Sequence, residues 1–297
     1  MMQALNGSIV ALITPMHENG EVDFESLSNL VEWHIKEGTA GIVSMGTTGE
    51  SATLSVSEHL SVIEKTIKFV NGRIPVIAGS GSNSTAQAIE TTSESKNLGA
   101  DYCLLVTPYY NRPSQKGLID HYFKIADSVQ IPQILYNVPS RTACDLLPKT
   151  VEVLAEHQNI IGIKESVSDE NRINDLIKIS NTTNEKFVIL SGDDPSFVKL
   201  MEYGGHGVIS VAANVIPNAI SEICYLISEG KIDEAIKKNE TYHHLYELLF
   251  IESNPVPVKW MLYKMKMIRN SLRLPLVKLD EKFHENINAE MLRLRLL

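Results

Sequence analysis

Lys164 carries the most chemical content of any residue in the chain. It ends the apolar run Ile160-Ile161-Gly162-Ile163-Lys164, where a strand buried on both faces should not tolerate an ammonium. Side chains alternate across a strand, so the spacing predicts Gly162 and Lys164 on one face and Ile161 and Ile163 on the other. A glycine beside the lysine would then leave space for its stem. An amine held among apolar groups is disfavoured in its charged form. The free amine is the nucleophile that Schiff-base chemistry on a carbonyl requires. The competing reading is a rim lysine paired with Glu165 or another carboxylate. Tyr136 ends the preceding apolar run, residues 131–136, and on adjacent parallel strands it would stand beside Lys164. A phenol held there can relay protons; a core tyrosine with its hydroxyl bonded elsewhere is the plainer alternative.

Other candidates follow the ends of other apolar runs. Gly46-Thr47-Thr48-Gly49-Glu50 offers two hydroxyls and backbone N–H groups that could hold a carboxylate, or it is an ordinary strand-to-helix turn. Tyr109-Tyr110 follows Thr107-Pro108 and reads equally well as loop packing. Arg141 is a bidentate carboxylate clamp if it points inward, and a solvated loop arginine if it does not. Asp193-Asp194 could ligate a divalent cation, but Asp194 before Pro195 is explained more simply as a helix N-cap. Gly79-Ser80-Gly81 lacks both a dinucleotide fingerprint and a phosphate-loop lysine, and His243-His244 lacks zinc-ligand spacing. Neither a catalytic metal nor a cofactor is expected.

The elements that would position these residues form a regular alternation. Apolar runs at residues 8–14, 41–45, 74–78, 102–106, 131–136, 160–164, 187–190 and 207–211 are short and rich in Ile, Val and Leu, as buried parallel strands are. Amphipathic segments lie between them. Ser55-Val56-Ser57-Glu58 has capping-box spacing, and Gly38, Gly72, Gly99 and Gly204 fall where helices should stop. Eight such alternations within ~230 residues predict an α/β fold, a (β/α)₈ barrel closed by its eight strands, with chemistry at the C-terminal strand ends. A doubly wound open sheet is the alternative. The catalytic barrel is expected over residues 1–230, its eighth helix within 217–230, and a C-terminal helical extension over 231–297.

Composition narrows the class further. A length of 297 residues suggests about two domains at ~150 residues each, or one barrel of ~250 with an addition. Acidic residues outnumber basic ones, 36 to 27, and no basic run occurs, so nucleic acid is not an expected partner. Cys103, Cys144 and Cys224 are too scattered for a disulfide framework and predict reduced thiols. The N-terminal stretch lacks the basic and apolar regions of a signal peptide, and no window reaches ~18 apolar residues. No membrane association is expected, and the compartment is expected to be the cytoplasm.

Taken together, the motifs resemble the pyruvate-dependent class I aldolases of the N-acetylneuraminate lyase superfamily. Within these the resemblance is to the 4-hydroxy-tetrahydrodipicolinate synthase (dihydrodipicolinate synthase) family. It rests on Gly46-Thr47-Thr48-Gly49-Glu50, Tyr109-Tyr110-Asn111-Arg112-Pro113, Leu135-Tyr136-Asn137-Val138-Pro139-Ser140-Arg141-Thr142 and Gly162-Ile163-Lys164-Glu165-Ser166. Further on it includes Leu190-Ser191-Gly192-Asp193-Asp194, residues 204–214, and Asn254-Pro255-Val256-Pro257-Val258-Lys259-Trp260. The set spans nearly the whole chain in order. The resemblance implies condensation of pyruvate with L-aspartate-4-semialdehyde, with Lys164 forming the imine and Tyr136, Thr47 and Tyr110 relaying protons. Tyr110 would reach into a neighbouring subunit's site, within a homotetramer built as a dimer of dimers. Thr48 and the backbone at Ile209 would hold pyruvate, and Arg141 would receive the carboxylate of the aldehyde.

A sialic acid or 2-keto-3-deoxy-sugar-acid aldolase is the alternative activity. Those relatives usually carry Ser-Thr in place of Thr47-Thr48 and lack the arginine. A non-catalytic binding barrel is a more remote reading, since Lys164 and Tyr136 are both present. Lysine-inhibited members bind lysine at positions matching Ser51, Ala52, Val56, His59, Asn83, Gln87 and Tyr109. Here Val56 replaces a histidine and Gln87 a glutamate, which implies weak or absent feedback inhibition by lysine.

Overall fold

Eight parallel strands close into one barrel in the computed structural model, which describes residues 5–183 and 187–297. The strands are β1 (Gly7–Ala11), β2 (Gly41–Ser44), β3 (Val76–Gly79), β4 (Tyr102–Val106), β5 (Gln133–Asn137), β6 (Ile160–Glu165), β7 (Val188–Ser191) and β8 (Gly207–Ser210). Each of the eight apolar runs supplies one strand, and pairs such as Ile9↔Ile209 close β1 on β8. Alternate residues divide between two environments. Ile9, Ala11, Val43, Ile77, Leu104 and Ile209 fill the interior, while Val10, Ile42, Ala78, Cys103 and Val208 pack outward under the helices. The first four residues of the N-terminal stretch lie outside the described residues.

Local signals in the sequence set several helix ends. Ser55 and Glu58 form the reciprocal capping box at the start of the helix Val56–Val70. Gly38, Gly72, Gly99 and Gly204 all take left-handed backbone conformations, Gly204 at φ +105°. Asp194 departs from expectation. The helix after β7 starts only at Phe197 and has Ser196 at its N-cap position. The buried Asp194 carboxylate instead accepts from Ser210 Oγ (2.5 Å) and from the backbone N–H groups of Val211 and Ala212 (3.0 Å each). It caps the single turn Ala212–Asn214 after β8, a long-range partner that local spacing does not reveal. Burial pushes its carboxyl up to about 6 against the lowering effect of these donors.

The C-terminal ends of β1 and β8 are stitched by Asn214. Its Oδ1 accepts from Ile13 N (3.1 Å) and its Nδ2 donates to Ala11 O (2.8 Å). The eighth barrel helix is Pro217–Ser228, followed by Ile232–Glu240, His243–Leu248, Val256–Lys264 and His284–Arg293. These later helices share the barrel's outer core: Trp260, Met261, Leu262 and Met291 pack in one cluster with Val10, Leu12 and Ile42. Lys259 reaches further, to Glu50 at 2.5 Å and to Thr14 O at 3.0 Å, with both charged side chains fully buried. Burial lowers the Lys259 pKa, and the Glu50 carboxylate opposes that shift. Among the described residues no helix is long and apolar enough to cross a membrane.

Candidate active site

The C-terminal strand ends surround a cavity of about 350 Å³ lined by Thr47, Thr48, Tyr136, Arg141, Lys164 and Asn254, among others. Tyr136 and Lys164 are direct partners across β5 and β6, and the lysine Nζ stands 4.2 Å from the centroid of the tyrosine ring. Each is only 6% exposed. Lys164 makes no ion pair among the described residues, so the paired-rim reading fails. Glu165 belongs to a separate set of partners, bonded to Arg172 at 3.1 Å and to Asn137 Nδ2 at 3.1 Å.

The strict alternation expected for β6 is broken by one residue. The register steps from Gln133↔Ile160 to Ile134↔Gly162, so Ile161 packs against the barrel interior while Ile163 lies in the outer core. Gly162 keeps the same face as Lys164, but the space beside it is taken by Val188 and not by the lysine. A Cβ there would meet Val188, at 2.4 Å from Cγ2 and 2.5 Å from the carbonyl oxygen. Room for the stem comes from Gly192, just past β7, where a Cβ would sit 2.8 Å from Lys164 Cε and 2.2 Å from Ser166 Oγ. Gly192→Ala is therefore expected to displace the amine and slow imine formation on the order of 100-fold, with the unfolding midpoint nearly unchanged. Trapping rates beside thermal melts would check this; an unaltered rate would remove Gly192 from the site.

A polar lock on the outer wall holds the two strand ends. Asn137 and Glu165 are paired one step beyond Tyr136 and Lys164. Asn137 also donates to Asp145 Oδ1 (2.9 Å), and Arg172 bridges Asp145 (2.5 Å) and Glu165. Burial raises the Glu165 carboxyl to about 7, against the pull of Arg172, the Val167 N–H and Asn137. The cross-bonded outer pair fixes the register of the inner pair, since residues i and i+1 of a strand point to opposite faces.

The loop after β2 presents Thr47, half-buried, and Thr48, buried. Thr48 Oγ1 accepts from Asn254 Nδ2 at 2.9 Å. Arg141 belongs to the short helix Pro139–Thr142 at the rim. Its Nη2 lies 3.5 Å from Asn254 O, and it pairs with no carboxylate among the described residues. Asp193 also lines the cavity and accepts from Ser196 Oγ.

Two of the expected residues lie elsewhere. Tyr110 is 90% exposed with φ 73°, away from this chain's own cavity, and Ile209 is buried in the barrel interior without lining the cavity. Of the positions matching the lysine pocket, Asn83 donates to Tyr109 O (3.1 Å), Ser82 Oγ donates to Gln87 Oε1 (3.0 Å), and His59 Nε2 meets Gly79 O (2.8 Å). Val56 is exposed, and Ser51 and Ala52 form the turn Ser51–Thr53. Among the described residues no three His, Cys, Asp or Glu side chains are grouped to hold a metal ion.

Sequence reasoning missed the supporting roles of Gly192, Asn254, Lys259 and the Glu165–Arg172 pair. The available signal was a charged residue inside an apolar stretch, as at Lys259 within residues 256–262; Asn254, which follows Glu252-Ser253, carried none. Comparison with known proteins identifies the family. The family model described as the dihydrodipicolinate synthetase family matches residues 4–293. The 4-hydroxy-tetrahydrodipicolinate synthase of Stutzerimonas stutzeri is 53% identical over 285 residues, 96% of this chain and 97% of that protein. A crystal structure of the chloride-inhibited dihydrodipicolinate synthase from Acinetobacter baumannii, complexed with pyruvate, is similar at a TM-score of 0.95. It has 47% identity and covers 99% of this chain and 100% of that one. The dihydrodipicolinate synthase from Aquifex aeolicus gives a TM-score of 0.94 at 42% identity, covering 98% and 99%. With its barrel, its lysine–tyrosine pair and these relatives in agreement, the chain belongs to the dihydrodipicolinate synthetase family.

Proposed function

We propose that the cavity condenses pyruvate with L-aspartate-4-semialdehyde on Lys164, giving 4-hydroxy-tetrahydrodipicolinate. The observation that carries this reading is the buried Lys164 amine, without an ion pair among the described residues and 4.2 Å from the centroid of the Tyr136 ring. The amine adds to the keto carbon of pyruvate and water leaves, forming the imine. Loss of a methyl proton gives an enamine, whose carbon bonds to the aldehyde carbon. The amino group of the second substrate then closes on the imine carbon and releases the lysine. Tyr136, Thr47 and a neighbouring subunit's copy of Tyr110 relay the protons. The pyruvate carboxylate rests in the Thr47-Thr48 loop, held by Thr48, and Arg141 takes the carboxylate of the aldehyde. The enzyme is a lyase, and its product feeds diaminopimelate and lysine synthesis.

Exposure of Tyr110 supports its insertion into a second subunit, within a homotetramer built as a dimer of dimers. Three buried free thiols suit a reducing cytoplasm. The unpaired Arg141 and the relatives' activity both weigh against a sugar-acid aldolase. Borohydride reduction with pyruvate, followed by peptide mapping, tests the assignment. A reduced adduct on Lys164 that diminishes as the aldehyde is consumed is expected. An adduct indifferent to the aldehyde would favour a sugar-acid aldolase, and no adduct would end the Schiff-base reading. Feedback is also testable. Gln87 offers no charge to a bound ammonium, and a charge-assisted bond contributes ~1.5–3 kcal/mol, so inhibition by lysine is expected to be weak. Half-inhibition at submillimolar lysine would contradict this.

A further inference from the structure

The proton of the Thr48 hydroxyl is directed from a segment 206 residues away. Asn254 Nδ2 donates to Thr48 Oγ1 at 2.9 Å, and the two residues, 5% and 3% exposed, both line the cavity. A hydroxyl has one proton and two lone pairs. With one lone pair filled by an amide N–H, the O–H is turned away from Asn254 and is free to donate into the cavity. As placed, the amide Nδ2 donates to Thr48 and the acceptor Oδ1 is the atom without a partner, a lesser cost in a buried amide than an unpaired N–H. The backbone carbonyl of the same residue lies 3.5 Å from Arg141 Nη2. One residue thus touches both groups read above as carboxylate holders.

We propose that Asn254 is a positioning residue that fixes Thr48 as a hydrogen-bond donor to the carboxylate of the keto-acid substrate. It thereby selects an anionic keto acid over a neutral one. This rests on the reading of Thr48 as a pyruvate ligand. Asn254→Asp inverts the polarity: Thr48 then donates to the new carboxylate, turns its lone pairs to the cavity, and a negative charge stands behind it.

The test compares pyruvate with its neutral methyl ester, in steady-state turnover and in borohydride trapping at Lys164. Asn254→Asp is expected to raise the KM for pyruvate on the order of 100-fold with kcat changed far less. Trapping of the methyl ester should slow by no more than about 3-fold. Asn254→Ala, which frees the hydroxyl without adding charge, should raise the pyruvate KM by about 10-fold; it decides the matter if the aspartate variant does not fold. Equal losses for acid and ester would overturn the proposal, as would a pyruvate KM that neither variant moves. Thr48→Ala separates the two readings. If it raises the pyruvate KM while the Asn254 variants do not, only the role of Asn254 falls. If it leaves the KM unchanged, the assignment of Thr48 falls as well.

Discussion

Lys164→Met should keep the barrel and lose the reaction, with kcat falling on the order of 10⁴-fold or more. The expectation of an intact fold comes from what the side chain touches. It has no ion pair among the described residues and rests against the Tyr136 ring and the bare Gly192 backbone. A thioether of similar length fills that space without stranding a polar partner, and such swaps typically cost under ~1.5 kcal/mol. The lost rate has a separate origin: among the described residues no other amine lines the cavity to form the imine. Steady-state turnover, with circular dichroism and borohydride labelling on the same preparation, checks both halves. Substantial residual turnover would locate the nucleophile elsewhere, and a collapsed fold would show that Lys164 contributes structure as well.

Lys259→Met should instead damage stability, by ~3–5 kcal/mol. It leaves Glu50 as a fully buried carboxylate whose remaining donor among the described residues is the Arg273 N–H, at 3.1 Å. Desolvation of that charge is then no longer offset by the ammonium. Glu50 follows directly on the Thr47-Thr48 turn, with a left-handed backbone at φ 58°. The loss should therefore also loosen the pyruvate subsite. Replacing Glu50 by Leu in the same chain should recover part of the loss, because a buried ion pair exchanged for apolar groups is often close to neutral. Denaturant unfolding of the single and double variants measures both effects. A single-variant loss below ~1 kcal/mol would mean that water reaches Glu50.

The strands were legible because each is a short run buried on both faces, and the capping box because its two partners are three residues apart. Lys164 and Tyr136 stood out for a related reason: each is a polar residue ending an apolar run. What the sequence hid depends on contacts between distant segments. The one-residue register step between β5 and β6 moved Ile161 inward, and the room expected of Gly162 is supplied by Gly192 from the segment after β7. Asp194 looked like a local cap because a proline follows it, yet its donors come from β8 and the turn beyond. Asn254 and Lys259 act on a loop 206 and 209 residues earlier, a separation at which no periodicity survives.

Those last two contacts order events during synthesis. A nascent chain that has just emitted β8 already contains Lys164, Tyr136, Thr48 and Arg141, and all eight strands are available to pair. Glu50 nevertheless waits for Lys259, and Thr48 for Asn254, so the pyruvate subsite is finished by residues synthesised only after all eight strands. A chain released early would hold its reactive lysine beside an unset loop and an uncompensated buried charge, and quality control would meet it as a destabilised protein.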